Sequence, residues 1–245
     1  MANKCFFKSK NRLALIFPVF MCLGGFVKPA NLETFLAAKS EVNFYENIQM
    51  VNNSDSYQVL VNKNFALSSE YAPEDMRIIQ VLDSSQNLNL TIKLRSRAAD
   101  MVEALFAAAR EDGYELLAVS GYRSYPHQKD LYEYYVKKHG KKEADSFSAR
   151  PGHSEHQTGL ALDVSASSLE GKIDKDFGLT QEGAWLVKNA PRFGFIIRYP
   201  REREEDTGFI YEPWHLRYVG VAPANIMEQN NWIFEDYVEQ VLENK

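Results

Sequence analysis

The sequence predicts a globular domain that mixes short strands with amphipathic helices, and three observations carry that expectation. Hydrophobic residues make up 45% of the 245-residue chain and aromatic residues 13%, the balance of a protein that buries a core. Several short segments alternate apolar and polar residues between turn signals, as half-buried strands do. Others place apolar residues at helical spacing and are bracketed by capping residues and glycine stops.

In chain order, Tyr57 to Val61 is the first expected strand, turned by Asn62-Lys63-Asn64, with another turn at Ala72-Pro73-Glu74-Asp75. A helix is expected from Ser96 to Glu111, where Met101, Leu105 and Ala108 share a stripe and Asp112-Gly113 is the stop. Tyr114 to Ser120 reads as a strand running straight into Gly121-Tyr122-Arg123-Ser124. Ser124 then caps a helix from Tyr125 to His139, which Gly140 ends. Gly159 opens the alternating strand Leu160 to Val164. Thr180 caps a helix reaching Asn189, and Phe195 to Tyr199 is a strand ended by Pro200. The charge run Arg201 to Asp206 is expected to be a solvated loop. Pro213 keeps Glu212 extended, His215 to Val219 alternates as a strand, and Ala222 to Gln229 and Trp232 to Glu243 read as helices.

The N-terminus is of a different kind. Lys4, Lys8, Lys10 and Arg12 precede an apolar stretch from Leu13 to Val27, the layout of an export signal, either cleaved or kept as a membrane anchor. Residues 1–27 are therefore read as signal peptide or anchor, 28–56 as a linker or loosely docked arm, and 57–245 as the functional domain. Both cysteines, Cys5 and Cys22, fall in the first segment, so the exported domain has no disulfide. Without residues 1–27, which carry four positive charges and no negative one, the net charge of -5 becomes -9. An acidic domain of this kind has little attraction for nucleic acid or for an anionic membrane, so membrane contact is expected only through the N-terminal segment.

Chemistry concentrates between Ser148 and Val164, S-A-R-P-G-H-S-E-H-Q-T-G-L-A-L-D-V. His156 in the loop and Asp163 on the following strand can reach one metal ion, and His215, three residues after Glu212 in Glu212-Pro213-Trp214-His215, offers a third ligand. Arg123 sits at a strand-to-helix turn, where its guanidinium can face an anion or a polarised oxygen; the plainer reading is a surface arginine with a local partner. His153 lies near enough to His156 to compete as a ligand, whereas His139 suits the C-terminal end of its helix.

Three blocks, Ser120-Gly121-Tyr122-Arg123-Ser124, then Ser154-Glu155-His156-Gln157-Thr158-Gly159 with Asp163, then Glu212-Pro213-Trp214-His215, resemble the signatures of a known family. These are the zinc D-alanyl-D-alanine carboxypeptidases of the vancomycin-resistance type, peptidase M15B-like, together with the related L,D-carboxypeptidases that trim bacterial cell-wall peptides. The resemblance runs in order from about Tyr57 to Gly220 and includes Val61-Asn62-Lys63 and Tyr71-Ala72-Pro73. It implies an α+β fold, a small antiparallel sheet with flanking helices, of the Hedgehog/DD-peptidase-like kind. It also implies Zn2+ held by His156, Asp163 and His215, a donor set that leaves a fourth position for water. Glu212 takes the place of the general base, and Arg123 that of the group stabilising the oxyanion or the substrate carbonyl.

Gln128 and Ser154 match positions that touch the terminal part of the substrate, against the plainer readings of a helix-surface glutamine and a turn-forming serine. Arg150 and Glu155 are read as structural partners of the site. The implied activity is removal of C-terminal D-alanine from peptidoglycan stem peptides by an exported monomer. The substrate is either the D,D bond of the pentapeptide or the L,D bond of the tetrapeptide. An endopeptidase and a silent wall-binding module are the alternatives, and the intact ligands and base weigh against silence.

Overall fold

In the computed structural model, which describes residues 44–88 and 91–243, the chain passes through two small sheets before reaching the central one. β1 (Gln49–Met50) pairs in parallel with β2 (Phe65–Ala66), and β3 (Met76–Ile78) pairs antiparallel with β4 (Lys93–Arg95). The strand expected at Tyr57 to Val61 does not form. Val59 and Val61 are fully buried. The carbonyls of Tyr57 and Val59, however, accept from the Arg217 guanidinium at 3.2 and 2.7 Å. Alternation here marks burial, and a side chain satisfies the backbone groups that a strand partner would have taken.

The expected linker also needs correction from residue 44 onward. The Tyr45 ring lies 3.7 Å from the Arg150 guanidinium and meets the His153 ring edge-on at 5.0 Å. Carbonyls of Ser54 and Asp55 accept from Tyr71 Oη and Arg95 Nη1 at 2.8 and 2.7 Å. Residues 44–56 thus belong to the folded domain, while the expected signal or anchor, residues 1–27, lies outside the described residues. Among the described residues, no helix is long and apolar enough to cross a membrane.

α1 (Ser96–Glu111) has the expected bounds, but its buried face is Ala98, Ala99, Val102, Leu105, Phe106 and Ala109, one residue round from the expected stripe. Its alanines permit close approach to the sheet, and Met101 and Ala108 are left at the edge of the core. β5 (Leu116–Ser120) follows, then α2 (Tyr125–His139), whose first turn is capped by Ser124 accepting from the His127 amide and whose end is Gly140 at φ 83°. After α3 (Lys141–Phe147) come β6 (Ala161–Ala166), α4 (Gln181–Asn189) capped by Thr180, β7 (Phe195–Tyr199), α5 (Glu204–Thr207) and β8 (Glu212–Tyr218).

The four strands form an antiparallel sheet in the order β5-β6-β8-β7. Leu116, Ala118, Leu162, Val164 and Leu216 join α1 and α4 in the main core. Asp163 and His215 stand directly opposite each other across β6 and β8, and Ser120 opposes Asp163 across β5. Side chains alternate along a strand, so Asp163 and His215 emerge together on the face away from Leu162, Val164 and Leu216.

A second cluster of Val219, Ala224, Met227, Phe234 and Tyr237 packs beneath α6 (Val221–Asn230) and α7 (Phe234–Tyr237), which continues as a π turn over Val238–Leu242. The charge run at 201–206 is more ordered than a solvated loop. Arg203 pairs with Asp206 at 2.6 Å and with Asp236 of α7 at 2.8 Å, tying α5 to the C-terminal segment.

Gly159 joins the one-turn 3-10 helix Glu155–Thr158 to β6. Its φ is +68°, and a Cβ would stand 2.7 Å from Met76 Sδ and 3.0 Å from Arg95 Cγ. Gly159→Ala is expected to cost about 1–3 kcal/mol, since a left-handed backbone and crowding act together. A lower thermal midpoint would register it, and an unchanged melt would show that the turn relaxes freely.

Candidate metal centre and active site

The sheet register and one loop bring the three expected ligands together. His156 comes from the 3-10 helix, Asp163 from β6 and His215 from β8, and one ligand atom from each lies within 4.8 Å of the others. His156 Nε2 is 3.2 Å from Asp163 Oδ2, and His215 Nδ1 is 3.1 Å from Asp163 Oδ1. The two imidazoles stand perpendicular, their centroids 5.0 Å apart.

Each ring turns its other nitrogen to a fixed acceptor. His156 Nδ1 meets the Gly121 carbonyl at 2.7 Å and His215 Nε2 meets Glu155 Oε2 at 3.3 Å. A proton held on the remote nitrogen leaves a lone pair aimed at the centre, the arrangement metal-bound histidines adopt. Two neutral imidazoles and a carboxylate in a closely packed setting fit Zn2+, with room for a fourth ligand.

Buried charge sets the electrostatics. Taking the protein's own charges alone, burial pushes the Glu212 carboxyl up to about 8, with His215 pulling it down and Asp163 adding to the rise. A dication at the three ligands acts in the opposite direction on this group. Burial lowers His215, but its bonds to Asp163 and Glu155 outweigh that and carry it up to about 9. Burial alone would raise Asp163, yet His156 and His215 hold its carboxyl far below the usual range. A metal that binds here displaces the proton from His215.

Glu212 Oε2 lies 3.9 Å from His215 Nδ1, beside the ligand cluster. Arg123 has local partners, as the plainer reading had it, but it is largely buried rather than on the surface. Its Nη1 donates to Gln128 Oε1 at 2.7 Å, its Nη2 donates to Ser120 Oγ at 2.9 Å, and the same nitrogen is 4.0 Å from Asp163 Oδ2. Gln128 is buried rather than on the helix surface, and its amide nitrogen donates to the Ala149 carbonyl at 2.7 Å. Both ends of that amide are engaged, so it braces Arg123 against the turn at Ala149. Ser154 is buried beside the ligands, and its carbonyl accepts from the Gln157 amide.

Arg123→Lys keeps the charge but cannot hold both braces. Turnover is expected to fall by about 10–1,000-fold with zinc retained; a rate within a factor of two of the parent would remove Arg123 from the reaction.

These groups line a cavity of about 550 Å³ together with Leu131, Tyr135, Phe147, Phe209 and Ile210. His153 stands apart from the centre, its Nδ1 on the Asn62 carbonyl at 2.8 Å, and His139 pairs with Glu143. Three features escaped the reading of the sequence: the Gly121 carbonyl behind His156, Tyr199 packed at 5.0 Å on the His215 ring, and the Arg198 and Arg217 pair that holds Glu155, itself expected as a structural partner. A signal was present for part of the last of these, because Arg198 interrupts the otherwise apolar strand Phe195–Tyr199.

The family model described as VanY, D-alanyl-D-alanine carboxypeptidase, matches residues 91–221. YodJ of Bacillus subtilis (strain 168) is 41% identical over 202 residues, 82% of this chain and 74% of that protein. The solved structure of the LdcB LD-carboxypeptidase, described as revealing the basis of peptidoglycan recognition, is 42% identical. It superposes with a TM-score of 0.75 over 80% of this chain and 92% of that one. A vancomycin-resistance D,D-pentapeptidase VanY solved in complex with Zn(II) is 30% identical, with a TM-score of 0.61 over 74% of this chain and 98% of that chain. Three side chains able to hold a metal converge beside a buried glutamate, and with the family model matching more than half of the chain and a relative 41% identical to it, the chain belongs to the VanY D-alanyl-D-alanine carboxypeptidase family.

Proposed function

We propose that the protein is a zinc carboxypeptidase that releases C-terminal D-alanine from peptidoglycan stem peptides, cutting the L,D bond of the tetrapeptide. The observation that carries the reading is the convergence of His156 Nε2, Asp163 and His215 Nδ1, with Glu212 and Arg123 beside them, in the lining of one cavity. The stronger likeness to LdcB than to the VanY pentapeptidase favours the tetrapeptide.

Bound by the three ligands, Zn2+ supplies Lewis acidity for a carbonyl and for water. Glu212 accepts the proton of the attacking water, whose oxygen joins the scissile carbonyl carbon. It passes that proton to the departing amine of D-alanine as the C–N bond breaks. Arg123 presents N–H groups where negative charge gathers on the carbonyl oxygen, and its braces at Ser120 and Gln128 hold it there before substrate arrives. Phe209, Ile210 and Phe147 form the apolar wall that keeps bulk water from the peptide. Gln128 and Ser154, both in the cavity lining, are the candidates for contact with the terminal residue.

All of these groups come from one chain, so a monomer suffices. The basic and apolar N-terminal segment supports export to the outer face of the cell membrane, where this substrate lies; recovery of the protein from the cytosolic fraction would contradict that placement. The zinc-loaded protein is to be incubated separately with stem tetrapeptide and pentapeptide, and free D-alanine followed by mass spectrometry. Release from the tetrapeptide is expected. Release from the pentapeptide alone would make it a D,D-carboxypeptidase, and release from neither with zinc bound would overturn the reading.

A further inference from the structure

Behind the ligand cluster lies a second layer of charge that catalysis as described leaves unused. Glu155, Arg198 and Arg217 have side chains with no solvent exposure. One oxygen of Glu155, Oε1, accepts from both Arg198 Nε at 2.8 Å and Arg217 Nη1 at 2.7 Å. The other, Oε2, is thereby left to His215 Nε2 at 3.3 Å. Arg217 is held in turn by the carbonyls of Val59, Tyr57 and Tyr218. The remaining Arg198 nitrogens reach the two oxygens of Glu235 in α7, at 2.9 and 2.6 Å. Phe234 of the same helix lies beneath both guanidiniums, 5.6 Å from that of Arg198 and 4.9 Å from that of Arg217.

We propose that Glu155 is a positioning residue of the metal centre. It accepts the Nε2 proton of His215 and so presents Nδ1 to the metal, while the arginine pair, anchored by Glu235, fixes the carboxylate. The C-terminal segment thus acts on the metal centre through Glu235, Arg198 and Glu155 without touching it. Fold stability alone gives no reason for such a cluster, since well-packed apolar side chains often serve a buried core at least as well as buried ion pairs. The division of labour between the two Glu155 oxygens gives the specific reason. Carboxylates that hold a ligating histidine fix its tautomer and ring plane, and their loss weakens metal binding about 10–100-fold.

The proposal rests on the metal assignment above, and the test separates the two. In the zinc-loaded unaltered protein, long-range proton–nitrogen NMR is expected to find His215 protonated on Nε2, with that proton exchanging slowly with water. Glu155→Gln keeps an acceptor for the arginines but turns a donor towards His215. Its zinc Kd, measured against a competing chelator, is expected to rise about 10–100-fold, with the melt of the metal-free variant showing that it folds. Glu235→Gln should move the Kd in the same direction by less. A purely structural role would lower the melting midpoint and leave both the zinc Kd and the His215 tautomer unmoved. His215 protonated on Nδ1 would overturn the proposal even if Glu155→Gln failed to fold, and so would a folded Glu155→Gln with the parental Kd. Failure of the unaltered protein to bind zinc would overturn the metal assignment and this proposal with it.

Discussion

Replacing Glu212 with alanine is expected to lower kcat by about 10²–10⁴-fold while leaving zinc in place. Glu212 stands at the start of β8 and is 7% exposed, with its Oε2 3.9 Å from the metal-facing nitrogen of His215. It is therefore beside the centre without belonging to the trio of converging ligand atoms. In the protein's own field, burial and the neighbouring Asp163 push its carboxyl up towards 8, and a dication at the three residues acts the other way. A carboxylate beside the metal can accept a proton from water and then surrender it to an amine. The expected pattern is a collapse of kcat with nearly normal substrate affinity and one zinc per chain. Loss of zinc from the variant would instead make Glu212 a ligand, and near-normal turnover would leave the reaction without its assigned base.

His215→Ala is expected to abolish stable zinc binding and turnover with it, weakening the metal affinity by more than about 100-fold. The histidine is one of the three residues assigned to the metal, and it is also the group that Asp163 Oδ1 and Glu155 Oε2 share. Its removal strands two buried carboxylate oxygens that face each other across the vacated volume, and the remaining pair of ligands holds the ion less firmly. His153→Ala is the matched control. That ring is buried too, but it points to the Asn62 carbonyl and the Tyr45 ring, so its loss should leave zinc stoichiometry at the parental value. Full zinc occupancy in His215→Ala, or loss of zinc in His153→Ala, would exchange the roles of the two histidines.

Much of this arrangement was legible in the order of residues because its signals are local. The caps Ser124 and Thr180 and the stop at Gly140 bounded their helices correctly, as each acts within one turn. The end of the Phe195–Tyr199 strand was marked by the proline after it. The three candidate ligands that the structure brings together were readable because His156 and Asp163 share one short motif and His215 lies beside Glu212 in another.

Pairing across the sheet was not readable. Nothing local says that Asp163 faces His215, and that register decides whether their side chains meet. Val59 and Val61 alternate as strand residues do, yet the partner for the backbone at Tyr57 and Val59 is an arginine side chain more than 150 residues away. Residues 44–56 looked like a linker because their contacts are with distant side chains, Arg150, His153 and Arg95 among them. Glu155 sits inside the motif, but its meaning comes from Arg198, Arg217 and Glu235 on other elements.

The central claim is that one metal ion joins His156, Asp163 and His215 beside Glu212. Anomalous diffraction from crystals of the zinc-loaded protein, recorded on both sides of the zinc absorption edge, tests it most directly. The expected result is a single strong peak about 2.0–2.2 Å from His156 Nε2, an Asp163 carboxylate oxygen and His215 Nδ1, and farther from Glu212. A peak at His153, or none among the three ligands despite zinc in the crystal, would contradict the account.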